Sequence, residues 1–392
     1  MVKKRHIVLC GLIMAWFVCL FIGLSTSFSN FYESGDRGSD GIFYLIIEVV
    51  TILYIVSTRH ERYPREIVFA SLFLLVQVLV MIGSAAGNPS IMVMRSSLWV
   101  VAMVGLYKYL LCNPDDVDYF TQLFAIGLTV LAIYTAVQQA GLRKYLGYDT
   151  GLNELYCVLI GAPFLFLQSR KITKYLGCFA IVIMTALSLK MTAFVAIVAS
   201  VFAYVVIDGK VQQKRINPWL LVLLSIVLII CIFWQGINNF LYSLFQVDWG
   251  EKIFTANSTG GSGRTQIWAE VIALQKRSDP GEWIFGHGYN SVVSQIRFSA
   301  HNDFLEVLYD FGIIGILAYS LMLISLIGSI NRLVRMRSMY APVLGMSVTM
   351  FVVISMFSHF VIVPGLLVNG SLVWAVCLSQ QRVSNSQTQL KQ

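Results

Sequence analysis

Residues 301–315, HNDFLEVLYDFGIIG, mark the point where a long polar segment enters an apolar helix. His301 and Asn302 close the polar segment, and Gly312 and Gly315 follow at a spacing that indicates close helix packing. A titratable imidazole at such a boundary suits a reaction on a substrate that is partly lipid and partly soluble. The stretch therefore predicts a membrane helix with a catalytic site near its first residues.

The composition of the chain is that of a membrane protein. Hydrophobic residues make up 57% of the 392 residues and charged residues 12%, whereas soluble domains carry about 25% charged residues. Apolar runs long enough to cross a hydrocarbon core of about 30 Å recur throughout. We predict an all-α, polytopic membrane protein with about 12 transmembrane helices. The predicted spans lie near 7–24, 42–57, 67–83, 91–111, 119–138, 153–168, 175–189, 191–207, 217–235, 304–328, 341–358 and 361–379.

Two of the apolar runs allow a second interpretation. The run 7–24 follows three basic residues and resembles a signal peptide, but no cleavage site is obvious and more spans follow. We therefore predict a retained first helix. Residues 175–207 form one apolar stretch broken only by Lys190. Because a single helix of that length would overshoot the bilayer, we predict a tight turn at Lys190.

The basic residues of the short loops predict the orientation. Every second connection carries Lys or Arg, with the acidic connection at 113–118 as the exception. Since basic loops stay in the cytoplasm, both termini are predicted to be cytoplasmic and the long segment 236–303 to lie outside. The formal charge of +8 follows from this topology, so it does not require a nucleic-acid partner.

The predicted domain organisation is a membrane part with one insert. Residues 1–235 hold spans one to nine, 236–303 form the external segment, 304–379 hold the last three spans, and 380–392 form a polar, disordered cytoplasmic tail. No internal repeat at a fixed period is present. The seven cysteines show neither a disulfide framework nor metal-type spacing, which predicts that they pack in apolar helices.

The external segment contains a candidate anion-binding site. A glycine-rich loop ends at Gly263, and the sequence from Arg264 predicts a helix with Ile267, Val271 and Leu274 on one face. Free N–H groups at a helix start, the helix dipole and a bidentate guanidinium all favour phosphate or pyrophosphate. The pattern is not a P-loop, which disfavours a nucleotide, and a solvated loop is the simpler alternative.

Other cations are candidates for the same site. Arg95 near the outer end of the fourth span and Lys190 are charged residues in membrane spans, which are functional candidates by default. The alternative for each is snorkelling to the headgroups. Arg297 lies in the basic approach to the final polar pair of the external segment. Arg143 and Lys144 fit ordinary surface charges better.

Three acids share one face of the helix after the His-Asn pair. Asp303, Glu306 and Asp310 follow at i, i+3 and i+7. Asp310 is about two turns into the span, where a bare carboxylate is costly, so it should pair with a cation such as Lys190 or Arg95, or with water. A metal site is less favoured because hard-ion sites usually need more ligands.

Several of these elements occur in the order of a known family. The chain has Ser188–Lys190 between adjacent spans, S-G-R-x-x-x-W at 262–268, F-G-x-G at 285–288 and H-N-x9-G-x-x-G at 301–315. In these motifs the second half, roughly 187–328, resembles the bacterial O-antigen ligase and O-antigen polymerase superfamily. The first half resembles it only in span count and topology. Lys190 departs from the family pattern, because many members carry an arginine there. A lysine at this position does not have the bidentate geometry with which an arginine binds phosphate.

The resemblance implies a metal-independent, inverting glycosyltransferase of the C type without a cofactor. The donor would be a glycan on undecaprenyl pyrophosphate in the bacterial inner membrane, and the active site would face the periplasm. Arg264 and Lys190, with Arg95 or Arg297, would neutralise the leaving pyrophosphate. His301 would take the proton from the acceptor sugar hydroxyl as a general base.

The resemblance leaves the supporting residues and the acceptor open. Asn302, Glu306 or Asp310 would orient the imidazole of the base, and His287 and His359 are reserve candidates. A polymerase would transfer the chain to another lipid-linked repeat unit, and would imply a copolymerase that regulates chain length. A ligase would transfer it to lipid A–core. Polymerase is the favoured prediction, by similarity of the motif region.

A protein of another class is the main rival. A transporter or flippase for the same lipid-linked glycan would suit the span count and the external cations. Transporters usually show paired repeats and interrupted helices at the middle of the membrane. Here the polar residues gather on one face and in one insert, which favours an enzyme. A multi-span peptidoglycan glycosyltransferase is a weaker rival.

Overall fold

The structure is a computed structural model. It describes residues 4–29, 40–58, 62–83, 89–146, 155–213, 239, 242–243, 263–360 and 364–390. Within these ranges all regular structure is helical and no strand occurs. The predicted all-α fold class is therefore confirmed.

The described α-helices are numbered in chain order. They are α1 (Lys4–Ser29), α2 (Asp40–Ser57), α3 (Arg65–Gly83), α4 (Pro89–Cys112), α5 (Val117–Leu146), α6 (Leu155–Ile160), α7 (Lys171–Ser188), α8 (Met191–Val211), α9 (Arg264–Gln275), α10 (Pro280–Phe285), α11 (Ser291–Ile296), α12 (Asp303–Arg335), α13 (Tyr340–Phe357) and α14 (Val368–Leu390). Short 3-10 helices cover Pro114–Asp116, Ala162–Leu167 and Pro364–Leu367.

The helices are those of a multi-pass membrane protein. Among the described residues, six stretches are long and apolar enough to cross a membrane: α3, Pro114–Gly141, α7, α8, α12 and α13. Four shorter apolar helices coincide with the first, second, fourth and sixth predicted spans, at Leu9–Ile22, Leu45–Ser57, Ser96–Cys112 and Leu155–Leu167. The ninth predicted span, 217–235, lies outside the described residues.

One prediction on the helix ends is wrong and one is confirmed. The sixth predicted span is helical but changes type, because α6 ends at Ile160 and Pro163, which has no N–H to donate, lies in the 3-10 helix that follows. The tail from residue 380 is not disordered, because α14 continues to Leu390 through a sequence without glycine or proline to stop it. The tight turn at Lys190 is present between α7 and α8.

Polar side chains join the helices inside the apolar core. Trp16 Nε1 of α1 donates to Asn369 Oδ1 of α14 at 2.7 Å, and Asn369 Nδ2 donates to the Cys157 carbonyl of α6 at 2.8 Å. At the end where α12 finishes, Arg332 forms an ion pair with Glu66 of α3. In a membrane interior such bonds, together with close packing, hold helices in register.

Three chain segments meet at the opposite end of the bundle. Thr192 Oγ1 at the start of α8 donates to the Phe357 carbonyl at the end of α13, at 3.5 Å. The Phe360 N–H donates to both carboxylate oxygens of Asp303 at the start of α12, at 2.9 and 3.1 Å. We call this end, where the Lys190 turn, the start of α12 and the end of α13 meet, the site end.

A backbone break at Gly312 divides α12. Its φ of 64° and ψ of −164° are not helical, so the carbonyls of Tyr309 and Asp310 lose their normal partners one turn on. The N–H groups of His287 and Gly288 donate to these two carbonyls at 3.0 and 3.1 Å. The F-G-x-G motif and the break in α12 are therefore one structural unit, and the close helix packing predicted at Gly312 is a loop-to-helix contact instead.

We expect replacement of Gly312 by alanine to destabilise the protein. A Cβ at this position would overlap the carbonyl of Ile284 and approach the nitrogen of Gly286, at a φ that favours glycine. The loss should be about 1–3 kcal/mol of unfolding free energy. Thermal unfolding in detergent measures it.

Gly328→Ala is the matched control in the same helix. Its Cβ would have only Arg332 Nη1 nearby, at 3.8 Å, and its φ is not left-handed. It should stabilise by about 0.5–1 kcal/mol. Equal behaviour of the two variants would contradict the role given to Gly312.

Candidate functional site

Arg264 is brought to the site end by the start of α9. The helix begins at Arg264, as predicted, after Gly263 in a left-handed conformation with φ 81°. Arg264 Nη1 lies 3.4 Å from Thr192 Oγ1 at the start of α8. Thr192 follows Lys190 by two residues in the sequence, so Arg264 lies at the Lys190 turn. Among the described residues, none has an atom within 4 Å of a Cβ built at Gly263.

Two histidines face each other beside these cations. The rings of His301 and His359 lie 5.3 Å apart between centroids. His301 is partly buried and His359 is 7% exposed. His359 Nδ1 lies 3.1 Å from the hydroxyl of Ser299. Of the two reserve histidines, the structure thus brings His359 to the predicted base.

The surroundings keep both imidazoles neutral. Burial, then the charges of Arg264 and Lys190, lower the pKa of His301 to about 4. Burial, His301 and the same two cations lower the pKa of His359 to about 3. Burial also lowers the pKa of Arg264, which a guanidinium tolerates without losing its proton at neutral pH. At neutral pH the site therefore holds two neutral imidazoles and two cations.

The backbone before His301 is fixed from both sides. Trp268 Nε1 of α9 donates to the Ala300 carbonyl at 2.8 Å, and the Ala300 N–H donates to Glu306 Oε1 of α12 at 2.6 Å. Ala300 is fully buried. His301 follows with a φ of 50°, a conformation that costs free energy outside glycine. These bonds hold the imidazole where it is.

Asn302 and the acids act on the backbone, which corrects their predicted role on the imidazole. Asn302 Oδ1 accepts from the Leu305 N–H at 3.2 Å and caps α12, and its Nδ2 donates to the Met356 carbonyl. Glu306 binds the peptide before His301, as above. These contacts are with backbone groups and not with the ring of His301, because each side chain satisfies a backbone group that the loops leave free.

Asp310 is likewise a backbone anchor, which corrects the predicted pairing with a cation. It is 1% exposed, and it accepts from the N–H groups of Asn290 at 2.8 Å and Val292 at 3.1 Å. A carboxylate at the start of α11 satisfies the free amides of that helix. Asp303 accepts from the Phe360 N–H in the same way. The three acids therefore attach three loops to the part of α12 before Gly312, which we call its first arm.

His287 has a structural place in the F-G-x-G loop. Its Nδ1 lies 3.1 Å from the Tyr309 carbonyl and its Nε2 lies 2.9 Å from the Ser278 hydroxyl. The ring stacks on Tyr309 with 4.0 Å between centroids. Both nitrogens thus have partners, one in α12 and one between α9 and α10, so His287 is a weaker candidate for the base than His359.

The remaining predicted cations are not joined to the site by the described contacts. Arg297 is exposed at the end of α11, with a φ of 64°. Arg95 lies in α4 and Arg143 and Lys144 lie in α5, but their side chains fall outside the described residues. Among the described residues, no group of three or more His, Cys, Asp or Glu could hold a metal ion.

A buried tyrosine next to the site was not among the predicted site residues. The hydroxyl of Tyr156, in α6, is in hydrogen-bonding contact with Thr192 and Ser358. Thr192 in turn lies against Arg264. Tyr156 is 1% exposed and occurs in an apolar run. The only signal in the sequence is a tyrosine hydroxyl inside an apolar span, because a buried hydroxyl usually has a hydrogen-bond partner.

The comparison with known proteins agrees with this geometry. Residues 176–320 match a family model described as O-antigen ligase. The matched stretch contains Lys190, α9, the F-G-x-G loop, His301 and the Gly312 break. No curated protein matches the chain. The match confirms the resemblance to the O-antigen ligase and polymerase superfamily over these residues.

We expect Glu306→Ala to reduce activity while Glu306→Gln largely retains it. Alanine leaves the buried Ala300 N–H without an acceptor, at a cost of about 1–3 kcal/mol. Since that peptide fixes His301, the rate should fall roughly 10- to 100-fold. Glutamine keeps an oxygen acceptor and the volume of the side chain. Glycan transfer by purified protein measures both, and equal activities would contradict the positioning role.

We expect Lys190→Gln to shift the acid limb of the pH profile of kcat/KM to higher pH. A base must be unprotonated, so if His301 is the predicted base, activity is lost as pH falls through its pKa, near 4 in the native protein. Lys190 lowers that pKa, and its removal should raise it towards 6.5.

Lys190→Arg is the control, because it keeps the positive charge beside His301. Its acid limb should stay in the native position even if the rate changes. The shape of the profile is compared, so a general loss of donor binding does not confuse the result. An unchanged limb in Lys190→Gln would show that His301 is not the titrating base or that Lys190 does not act on it.

Proposed function

We propose that this chain, which matches the O-antigen ligase and polymerase superfamily over residues 176–320, is a glycosyltransferase acting on lipid-linked glycans. More specifically, we propose a polymerase that transfers a glycan chain from undecaprenyl pyrophosphate to a sugar hydroxyl of another lipid-linked repeat unit. The observation that carries the proposal is the meeting of Arg264, Lys190, His301 and His359 at one end of a membrane bundle.

The cations fit the pyrophosphate of the donor. Arg264 stands at the first turn of α9, where free N–H groups and the helix dipole add positive potential. Lys190 acts on the same two histidines as Arg264. A dianionic leaving group would lie between the helix start and the α7–α8 turn, with its growing charge stabilised as the sugar departs. A pyrophosphate ester is already activated, so this reaction requires no nucleotide.

The reacting groups then have defined roles. A ring nitrogen of His301 takes the proton of the acceptor hydroxyl while that oxygen forms a bond to the anomeric carbon. The bond from this carbon to the phosphate oxygen breaks, and its electron pair stays on the pyrophosphate. Attack from the face opposite the leaving group inverts the anomeric centre. Metal ions have no part in this proposal.

The low pKa of His301 suits this sequence of events. In the free protein the imidazole is neutral at neutral pH, so it is ready to accept a proton. The anionic donor offsets the repulsion from Arg264 and Lys190, and this raises the proton affinity of the imidazole after the donor binds. The base therefore becomes stronger once the donor is bound.

The site end is proposed to face the periplasm of the bacterial inner membrane, as the basic loops at the other end predict. A polymerase would also work with a copolymerase that regulates chain length. The second candidate is a ligase that transfers the glycan to lipid A–core, because the matching family model is described as O-antigen ligase. A flippase is less supported, since it needs no imidazole base beside the cations.

A lipopolysaccharide gel of the source strain with the gene deleted tests the acceptor. Lipid A–core carrying one repeat unit is the result expected of a polymerase. Bare lipid A–core with polymer accumulating on undecaprenyl pyrophosphate would identify a ligase instead. An unchanged ladder would reject both roles in O-antigen assembly.

Complementation of the same strain tests the base. His301→Ala should fail to restore polymer although the protein level and the lipid-linked units at the surface are unchanged. His6→Ala, which removes an imidazole paired with Asp116 at the other end of the bundle, should restore it. A normal ladder from His301→Ala would refute the general-base role.

A further inference from the structure

The short helix α10 exposes three consecutive apolar side chains. Its last residues are Trp283, Ile284 and Phe285. Trp283 is partly exposed, Ile284 is 43% exposed and Phe285 is 62% exposed. Runs of exposed apolar residues are unfavourable in water and indicate a function or a partner. The proposed reaction assigns no task to any of the three.

The same helix is polar at its other end. Asp279 caps it by accepting from the Glu282 N–H at 2.8 Å, and Glu282 Oε2 accepts from the Asp279 N–H at 2.9 Å. This capping box fixes the start of α10. The helix therefore changes from charged to apolar along its axis, within six residues. Such a helix suits a boundary between water and an apolar medium.

The apolar end continues a surface that already faces lipid. The backbone at Ile284 packs against Gly312, so closely that a Cβ at Gly312 would overlap the Ile284 carbonyl. Directly after Gly312, the membrane-spanning part of α12 exposes Ile313 at 40%, Ile314 at 38% and Leu317 at 56%. Exposed aliphatic side chains on a membrane-spanning helix contact hydrocarbon. The end of α10 thus lies at the rim of this belt.

We propose that Trp283, Ile284 and Phe285 insert into the membrane leaflet at the site end and anchor the external helices to the lipid surface. Trp283 has the amphipathic ring that is enriched at membrane interfaces. Ile284 and Phe285 reach past it into the acyl region, while Asp279 and Glu282 stay in the headgroup water. A lipid bilayer is the occupant that the continuity with α12 favours over a protein partner.

The anchor sets the height of the external segment over the membrane. The loop after Phe285 donates its N–H groups to the α12 carbonyls at the Gly312 break. The first arm of α12, beyond that break, carries Glu306, which holds the peptide before His301. Insertion of α10 therefore fixes the depth of this arm at the interface. This inference stands on exposure and packing and does not depend on the reaction proposed above.

Spin-label accessibility tests the insertion. The label is attached to Phe285→Cys or, separately, Ile284→Cys, in the full chain with its seven native cysteines replaced by alanine and reconstituted in phospholipid vesicles. Collision with oxygen, which concentrates in hydrocarbon, is compared with collision with an uncharged nickel chelate, which stays in water. Leu317→Cys is the control for lipid contact, and Lys276→Cys, exposed at the end of α9, is the control for water.

Insertion predicts that oxygen collides more than the chelate at 284 and 285, as at 317. Greater collision with the chelate, as at 276, would overturn the proposal because it places α10 in water. Low collision with both would also overturn it, because the residues would then be covered by protein. Two label sites guard against a local effect of either substitution.

A second measurement keeps the native cysteines, in case their removal disturbs the fold. A photoreactive benzoylphenylalanine at position 285 is irradiated in native membranes. Adducts with the mass of a phospholipid support insertion. Crosslinks to another protein or to a second copy of the chain would refute it and would identify the surface as a docking site.

Discussion

The architecture of the site depends on the break in α12 at Gly312. A continuous helix would have kept the Tyr309 and Asp310 carbonyls for its own next turn. With the break, these carbonyls accept from His287 and Gly288, and the F-G-x-G loop is bound to the helix by its backbone. The part of α12 before the break then carries the contacts to the loops, while the part after it continues to Arg335.

The three acids on the first arm of α12 explain how the irregular loops keep their backbone N–H groups hydrogen-bonded. Asp303, Glu306 and Asp310 are each 1% exposed or less. Each accepts backbone N–H groups from a different loop, at Phe360, at Ala300 and at residues 290–292. Burial of such carboxylates is costly unless hydrogen bonds compensate it. Because each acid holds one loop, the positions of His301 and His359 follow from the same helix face.

The sequence predicted the elements whose signal is local. Apolar run length marks the spans, the break at Lys190 marks a turn, and the glycine before Arg264 marks the start of α9. The partners of the acids could not be predicted, because spacing on a helix shows which side chains share a face and not which loops reach them. Asp310 was expected to meet a cation or water, and its carboxylate accepts the N–H groups of Asn290 and Val292 at the start of α11. Tyr156 was missed because a hydroxyl in an apolar run has no periodic signature.

The electrostatics of the site combine positive charges with neutral imidazoles. Two cations and two neutral imidazoles lie together here, partly removed from water, and such an arrangement favours an anionic ligand. Burial, and then the charges of Arg264 and Lys190, lower the pKa of His301, so the free protein keeps this imidazole neutral. Lys190 in place of an arginine keeps the positive charge but gives up the planar, bidentate geometry. In the proposed reaction, the geometry of the anion would therefore be fixed by Arg264 and the amides of α9. Burial, together with the same charges that would attract the anion, keeps the imidazole of His301 free to accept a proton.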